Sequence, residues 1–286
     1  MATGRETLWE KFLAPVVRLM IDEDALRAEY ESLNWEMESD RFRNPSLPLP
    51  EYYTSKNFHG VKGGYLNPGA ATSYDPITQY VLLPNETWIR QGVGDRVQGF
   101  PKRILDLGCG TGSTTVLLKQ KFPQAEVIGV DLSPYMLVVA DRKATKQGLA
   151  IEFTQANAEQ TGFADESFDL VTASLLFHET PPFVAINVLR EAFRLLKPGG
   201  EVIILDGNQA TLRQTEWLMD IFEEPYIRDY AEGSVDAWMG QAGFEWVRTE
   251  PHWWTNQISW GVKPSVVGDL HQTTTAIDET PQWAMG

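Results

Sequence analysis

The chain has 286 residues, 43% hydrophobic and 22% charged, which is enough apolar content for one large domain or a domain with a subdomain. Its formal net charge of -15 argues against a nucleic-acid partner, because such a partner needs a basic face to neutralise its phosphates. The single cysteine, Cys109, excludes an internal disulfide framework and a multi-cysteine metal site.

In chain order, residues 1–43 are acidic and helical in pattern. LWEKFLAPVVRLM and DEDALRAEYESLNWEMESDRF carry apolar residues at three- and four-residue spacing. Glu6, Glu10, Lys11 and Pro15 interrupt the first of these stretches, and no run of the chain approaches the roughly eighteen apolar residues of a membrane span. Neither a span nor a secretory signal is expected, and the chain reads as cytoplasmic. NPSLPLPEYY is proline-rich, and GVKGGYLNPGAATSYDP has the glycine, proline and asparagine density of a structured loop. ITQYVLLPNETWIRQGV then reads as helix on both sides of Pro84.

From Lys102 the rhythm becomes regular. RILDL, EVIGVD, IEFTQ, FDLVTAS and EVIILD are short apolar runs, interleaved with the helical stretches STTVLLKQKF, SPYMLVVADRKATKQ and FVAINVLREAFRLL. Ser133 is placed to cap the second of these helices, with Pro134 at its first position. Nearly all-apolar strands alternating with helices predict a doubly wound α/β domain, a mostly parallel sheet covered on both faces. Beyond Asp206, TLRQTEWLMDIF and SVDAWMGQA read as helices, and FEWVRTEP and QISWGVKP as a closing antiparallel hairpin. The expected organisation is an N-terminal helical extension and lid over 1–100, a core over 101–264, and a poorly ordered tail over 265–286.

ILDLGCGTGSTT is the sharpest signal. A strand ends at Leu107, Gly108, Gly110 and Gly112 alternate, and a helix follows. Glycines there permit a tight turn and close backbone approach to a ligand at the helix N-terminus. The next strand ends in Asp131, where a carboxylate can accept hydrogen bonds from both hydroxyls of a ribose. The alternative is a tight strand-to-helix turn with Asp131 as a capping acid. The third glycine arrives one residue too early for a dinucleotide pyrophosphate site, and Asp106 beside the loop would repel a pyrophosphate but suits a cation such as the sulfonium of S-adenosylmethionine.

LDLGCGTG, VIGVDLSPYML, FTQANAEQTGFADESFDLVTAS and LREAFRLLKPGGEVIILD, in that order, resemble the class I S-adenosylmethionine-dependent methyltransferases, in their small-molecule, type 11-like branch. The resemblance covers roughly residues 102–264. It implies a seven-stranded Rossmann-like sheet of order 3-2-1-4-5-7-6 with strand 7 antiparallel, and S-adenosyl-L-methionine as cofactor. It further implies Asp106, Gly108, Gly110 and Gly112 at the methionine part, Asp131 on the ribose, Leu132 against the adenine, and Asn157 with Ala158 at the adenine edge. Asn157 stands where many relatives have aspartate, and Thr161-Gly162-Phe163 where many have Leu-Pro-Phe.

SLLFHETPPF leaves the C-terminal end of the fourth strand, where ligands of open α/β sheets bind. Its Pro-Pro-Phe lies some seven residues beyond the position of an amino-methylating Asn-Pro-Pro-Tyr tetrad, so Pro181 and Pro182 read as the start of the next helix. His178 resembles the histidine that many small-molecule members carry near the transferred methyl, where an imidazole suits removal of an acceptor proton. The competing reading is a loop histidine that orients Glu179. Tyr74, in a segment resembling the lid of quinone and lipid methyltransferases, is a candidate for closing the site, and His59 is a weaker one. Trp217, Trp238, Trp253 and Trp254 are candidates for the wall of an apolar pocket, with Asp206 and Asn208 facing the acceptor. The expected function is methyl transfer to an oxygen or carbon of an apolar or aromatic small molecule, with no metal. The rival readings are a non-catalytic binding module for the same ligand and a protein methyltransferase.

Overall fold

The structure is a computed structural model that describes residues 21–58, 61, 63–82, 84–222 and 224–265. The apolar runs form β1 (Arg103–Leu107), β2 (Glu126–Asp131), β3 (Glu152–Gln155), β4 (Phe168–Ser174), β5 (Leu196–Gly207), β6 (Glu245–His252) and β7 (Asn256–Val262). They make one seven-stranded sheet of order β3-β2-β1-β4-β5-β7-β6, in which β7 runs antiparallel to both β5 and β6. Both the fold class and the strand order match the sequence reading.

Alternation along the strands explains why the runs are apolar throughout. Leu105 and Leu107 of β1, Val171 and Ala173 of β4, and Val202 and Ile204 of β5 enter one core with the helix Pro182–Leu195. Their neighbours Ile104, Leu170, Ile203 and Leu205 enter a second core with Ile89 and Val93 of the helix Glu86–Arg96 and Leu118 of the helix Ser113–Lys121. Side chains at odd and even positions point to opposite faces, so a sheet buried on both sides cannot afford a polar alternation.

The segment before β1 is more helical than its composition suggests. The glycine- and proline-rich stretch read as a loop contributes the first half of a helix, Pro68–Val81. Asn67 caps it by accepting the Ala70 N–H at 2.8 Å, Pro68 occupies its first turn, and Pro76 is carried inside it. The loop-like residues are thus a cap and a helix start. The helix expected across Pro84 is interrupted, restarting at Glu86 with Asn85 as its cap. Of residues 1–43, the described part forms helices Glu23–Glu31 and Trp35–Asp40, and Trp35 packs on Tyr135 with ring centroids 6.4 Å apart. An additional helix, Ile227–Glu232, lies between the expected ones. Strand β5 begins before EVIILD, because the Gly199 N–H donates to the Lys263 carbonyl and draws Lys-Pro-Gly-Gly into the sheet. No described helix is long and apolar enough to cross a membrane. LWEKFLAPVVRLM, His59 and residues 266–286 of the tail lie outside the described residues.

Candidate active site

The site lies at the C-terminal ends of β1, β2 and β4, where the parallel strands deliver their loops to one edge. After β1 the chain turns through Gly108 (φ 62°), Gly110 (φ 54°) and Gly112 (φ 76°) into the helix Ser113–Lys121. At Gly108 a Cβ would stand 2.7 Å from Leu176 Cδ1, so a side chain there would displace Leu176 as well as strain a left-handed backbone that favours glycine. At Gly110 a Cβ would meet nothing within 4 Å, because this part of the loop faces the cavity. Gly112 does not line the cavity; it supplies the left-handed residue that starts the helix.

Asp131, at the end of β2, fixes this turn. Its Oδ2 accepts the Gly110 N–H at 2.9 Å and its Oδ1 the Ser133 N–H at 2.8 Å. A carboxylate offers about four acceptor positions, so two remain for a ligand diol. Burial raises its pKa to about 6, against the opposing effect of the two N–H donors. Asp106 is placed otherwise than expected. It is 1% exposed, accepts Thr115 Oγ1 at 2.6 Å and Thr172 Oγ1 at 2.8 Å, and is absent from the cavity lining. Burial raises its pKa while the two threonine hydroxyls lower it, and its effect is to tie the helix after the glycine loop to β1 and β4.

Leu132, Asn157 and Ala158 line the cavity. Asn157 Oδ1 already accepts the Glu159 N–H at 2.9 Å, which leaves one of its two lone pairs for a ligand. At the end of β4, Ser174 is buried and lines the cavity, and among the described residues its Oγ has no hydrogen-bond partner. Leu175 follows with φ 59°, a left-handed conformation uncommon for leucine, and turns the chain into the short helical turn Phe177–Glu179.

His178 sits in that turn. Its Nδ1 lies 2.6 Å from Asp206 Oδ1 and its Nε2 4.0 Å from Glu179 Oε1. The other Asp206 oxygen accepts the Phe177 N–H at 2.7 Å, so the acid anchors backbone and ring together. Burial pushes the His178 pKa down, but Asp206, Glu179 and Glu224 outweigh it and raise it to about 9. His178 is not among the described residues that line the cavity, whereas Glu179 and Thr180 are. Pro181 and Pro182 do start the following helix.

The opposite wall comes from the segment before β1. Tyr52, Tyr53, Tyr65 and Tyr74 line it, with Phe58 stacked on Tyr65 at 5.4 Å and Tyr74 edge-on to Tyr65 at 5.9 Å. Tyr65 donates its hydroxyl to Glu179 Oε1 at 2.5 Å, closing the wall onto the loop after β4. Asp75 clamps the same wall to the glycine loop, accepting Thr111 Oγ1 at 2.5 Å and pairing with Lys143 at 2.7 Å. The tryptophans do not form the pocket. Trp238 is buried against Tyr230, while Trp217, Trp253 and Trp254 are exposed, Trp253 stacked on Trp88. Asn208 caps the helix Gln209–Gln214 instead of facing the cavity. Of the wall residues only Tyr74 stood out in the sequence; Tyr52, Tyr53, Tyr65 and Arg90 carry no spacing signal.

A model of the family "Methyltransferase domain" matches residues 104–200, the stretch from β1 to the Lys-Pro-Gly-Gly turn. A demethylmenaquinone methyltransferase of Thermus thermophilus is 40% identical over 119 residues, covering 42% of this chain and 53% of that protein. The chain spans about half the length of the curated relatives it matches. Among solved structures, the CurJ carbon methyltransferase superposes with a TM-score of 0.54 at 18% identity, covering 70% of this chain and 61% of that one. Phosphoethanolamine N-methyltransferase 2 of Haemonchus contortus, in complex with S-adenosyl-L-methionine, gives 0.51 at 17% identity, covering 70% and 58%. One fold thus serves carbon and nitrogen acceptors in those two proteins. The ordered glycine loop and terminal acid, the strand order and the matched stretch agree: residues 104–200 form a methyltransferase domain, set in a sheet of the class I S-adenosylmethionine-dependent methyltransferase order.

Proposed function

We propose that this chain transfers a methyl group from S-adenosylmethionine to an oxygen or carbon of an apolar or aromatic small molecule. The observation that carries the proposal is a single cavity with two chemistries: glycine loop, Asp131 and Ser174 on one side, and a wall of tyrosine rings on the other. The name of the curated relatives, demethylmenaquinone methyltransferase, points to a quinone-like ring as the acceptor class, and tyrosine faces suit a flat apolar ring.

The residues present fit the cofactor. The open face of Gly110, the two remaining acceptor positions of Asp131 and the unpartnered Ser174 Oγ are what an adenosine bearing a charged amino-acid end requires. Asp131 would hold the ribose, Leu132 the adenine face, Asn157 and Ala158 the adenine edge, and Gly108 with Gly110 the methionine part. Tyr74 would close the site. Asp106 and Gly112 act behind the loop, by holding its shape. When bound, S-adenosylmethionine supplies an electrophilic methyl on a sulfonium. The catalytic core is taken as residues 101–264, with residues 1–100 supplying the lid.

His178, oriented by Asp206, is the proposed proton acceptor for the methylated atom. An imidazolium cannot accept a proton, and in the ligand-free chain neutrality is reached only above about pH 9. A positive charge beside Glu179 would offset that carboxylate's smaller pull, while Asp206 remains the main cause of the raised pKa. The test is calorimetric binding of S-adenosylhomocysteine, followed by mass spectrometry of products from labelled cofactor and a panel of quinones and phenols. Absence of binding by folded protein would sink the proposal. Binding with no methylated product would favour a non-catalytic module, and label on protein would favour a protein methyltransferase.

A further inference from the structure

His178, the proposed proton acceptor, is not among the described residues that line the cavity, but Glu179, its neighbour in the turn Phe177–Glu179, is. A base must reach the proton it removes, directly or through an intermediary. Some group therefore has to carry the proton from the cavity to the ring.

Glu179 stands between the two. Its Oε1 accepts the Tyr65 hydroxyl at 2.5 Å and lies 4.0 Å from His178 Nε2. Tyr65 also lines the cavity, so this bond holds the carboxylate at the wall. The gap to the ring is about 1 Å longer than a hydrogen bond, a distance that a change in one Glu179 side-chain torsion closes. A carboxylate offers about four acceptor positions, so Glu179 can hold Tyr65 and meet a ligand hydroxyl at once. On the other side of the ring, Nδ1 lies 2.6 Å from Asp206 Oδ1, which leaves Nε2 as the nitrogen nearer Glu179.

The other groups around the ring are placed differently. Thr180 lines the cavity, but it donates its hydroxyl to the Phe177 carbonyl at 3.1 Å and carries no charge with which to hold a second proton. Tyr230 stands edge-on to the ring with centroids 6.3 Å apart, and its hydroxyl donates to the Gly207 carbonyl at 2.7 Å. Glu224 acts on the ring from the loop before the helix Ile227–Glu232 and is not among the described residues of the lining.

We propose that Glu179 is the catalytic residue that takes the acceptor's hydroxyl proton and relays it to His178. The relay rests on the methyl-transfer reading above and deepens it. The O–H bond of the acceptor breaks, and its electron pair stays on the acceptor as the nucleophile that receives the methyl. The proton bonds to Glu179 and then to Nε2 of neutral His178, which restores the carboxylate and leaves an imidazolium against Asp206. Loss of the ring proton to solvent resets the relay.

The test uses the full chain, labelled S-adenosylmethionine and two ring-matched probes, 2-naphthol and heptafluoro-2-naphthol. At about pH 8 the first keeps its hydroxyl proton, whereas the second is already ionised and needs no base. Glu179→Gln should lower turnover of 2-naphthol by roughly a hundredfold or more, and that of the ionised probe by no more than about tenfold. Glu179→Asp, which keeps a carboxylate on a shorter stem, should recover part of the loss on 2-naphthol. A second readout needs no turnover: by NMR, the His178 ring of ligand-free Glu179→Gln should ionise at lower pH than in wild type, because Glu179 favours the charged ring. Equal losses on the two probes, full activity of Glu179→Gln, or an unmoved His178 titration would overturn the relay. A marked loss of S-adenosylhomocysteine affinity in Glu179→Gln would place the residue in cofactor binding and overturn it too. Wild-type chain that methylates quinones but neither naphthol overturns the relay alone, and wild-type chain that methylates nothing overturns the methyl-transfer reading with it.

Discussion

Asp131 Oδ2 accepts the backbone N–H of Gly110 at 2.9 Å, so the acid proposed to hold the ribose also holds the glycine loop in shape. With its pKa raised to about 6 by burial, the ligand-free folded chain binds this proton more tightly than the unfolded chain does. Stability of the ligand-free protein therefore declines as pH rises from about 4 to 6, by an amount on the order of 3 kcal/mol at most. Ligand hydroxyls favour the ionised form, so affinity for S-adenosylhomocysteine should rise up to about tenfold per pH unit below pH 6 and level off above it. Asp131→Asn should abolish that dependence and weaken binding by roughly ten- to hundredfold. Calorimetry from pH 5 to 8 reads both effects, and an unchanged pH profile in the variant would refute the assignment.

The pairing of His178 with Asp206 moves stability in the same direction, in a higher pH window. Its folded pKa of about 9 lies above the unfolded value near 6.5, so its stabilisation is complete below about pH 6.5 and is lost as pH rises through 9. The Tm of the ligand-free protein should fall across that window, and His178→Gln should remove most of the slope. If His178 is the proton acceptor, the same variant should reduce kcat by roughly a hundredfold or more while leaving cofactor affinity within about threefold. A fully active variant refutes the base.

Asp75 ties the tyrosine wall to Thr111 and Lys143 across the glycine loop. The group is partly exposed, so Asp75→Asn should cost only about 1 kcal/mol of global stability. Its larger effect should be local, in faster hydrogen exchange over Pro68–Val81 than over β1 and β4. Uniform protection changes across the whole chain would show that the wall and sheet open as one unit.

Gly108→Ala places a methyl 2.7 Å from Leu176 in a left-handed backbone conformation. Overpacking and backbone strain together predict a loss of about 2 to 4 kcal/mol, visible as a lower denaturation midpoint. Gly110→Ala meets no atom within 4 Å. It should cost about 1 to 2 kcal/mol from its backbone conformation alone, yet impair ligand binding more severely. A denaturant series and calorimetry on the pair separate shape from contact.

The sheet was legible because its signals are local. Apolar runs such as EVIGVD, the cap at Ser133 and the alternating glycines each state their own geometry within a few residues. The tyrosine wall was not, since Tyr65 meets Glu179 across 114 residues and no spacing encodes that meeting. The tryptophans misled for a related reason: a high count says nothing of placement, and Trp253 and Trp254 stand at the surface. Asp106 shows the limit of carrying a role by position. It occupies the motif's place, but its carboxylate is taken up by Thr115 and Thr172.

The bond from Tyr65 to Glu179, and those from Asp75 to Thr111 and from Asn44 to Gln155, all join the early part of the chain to loops that follow it by tens of residues. Closing such long loops is entropically slow, so the cavity should be among the last parts of the molecule to assemble. During refolding, near-native helical signal should return before ligand affinity does. The lag between the two would measure how late the chain completes its own binding site.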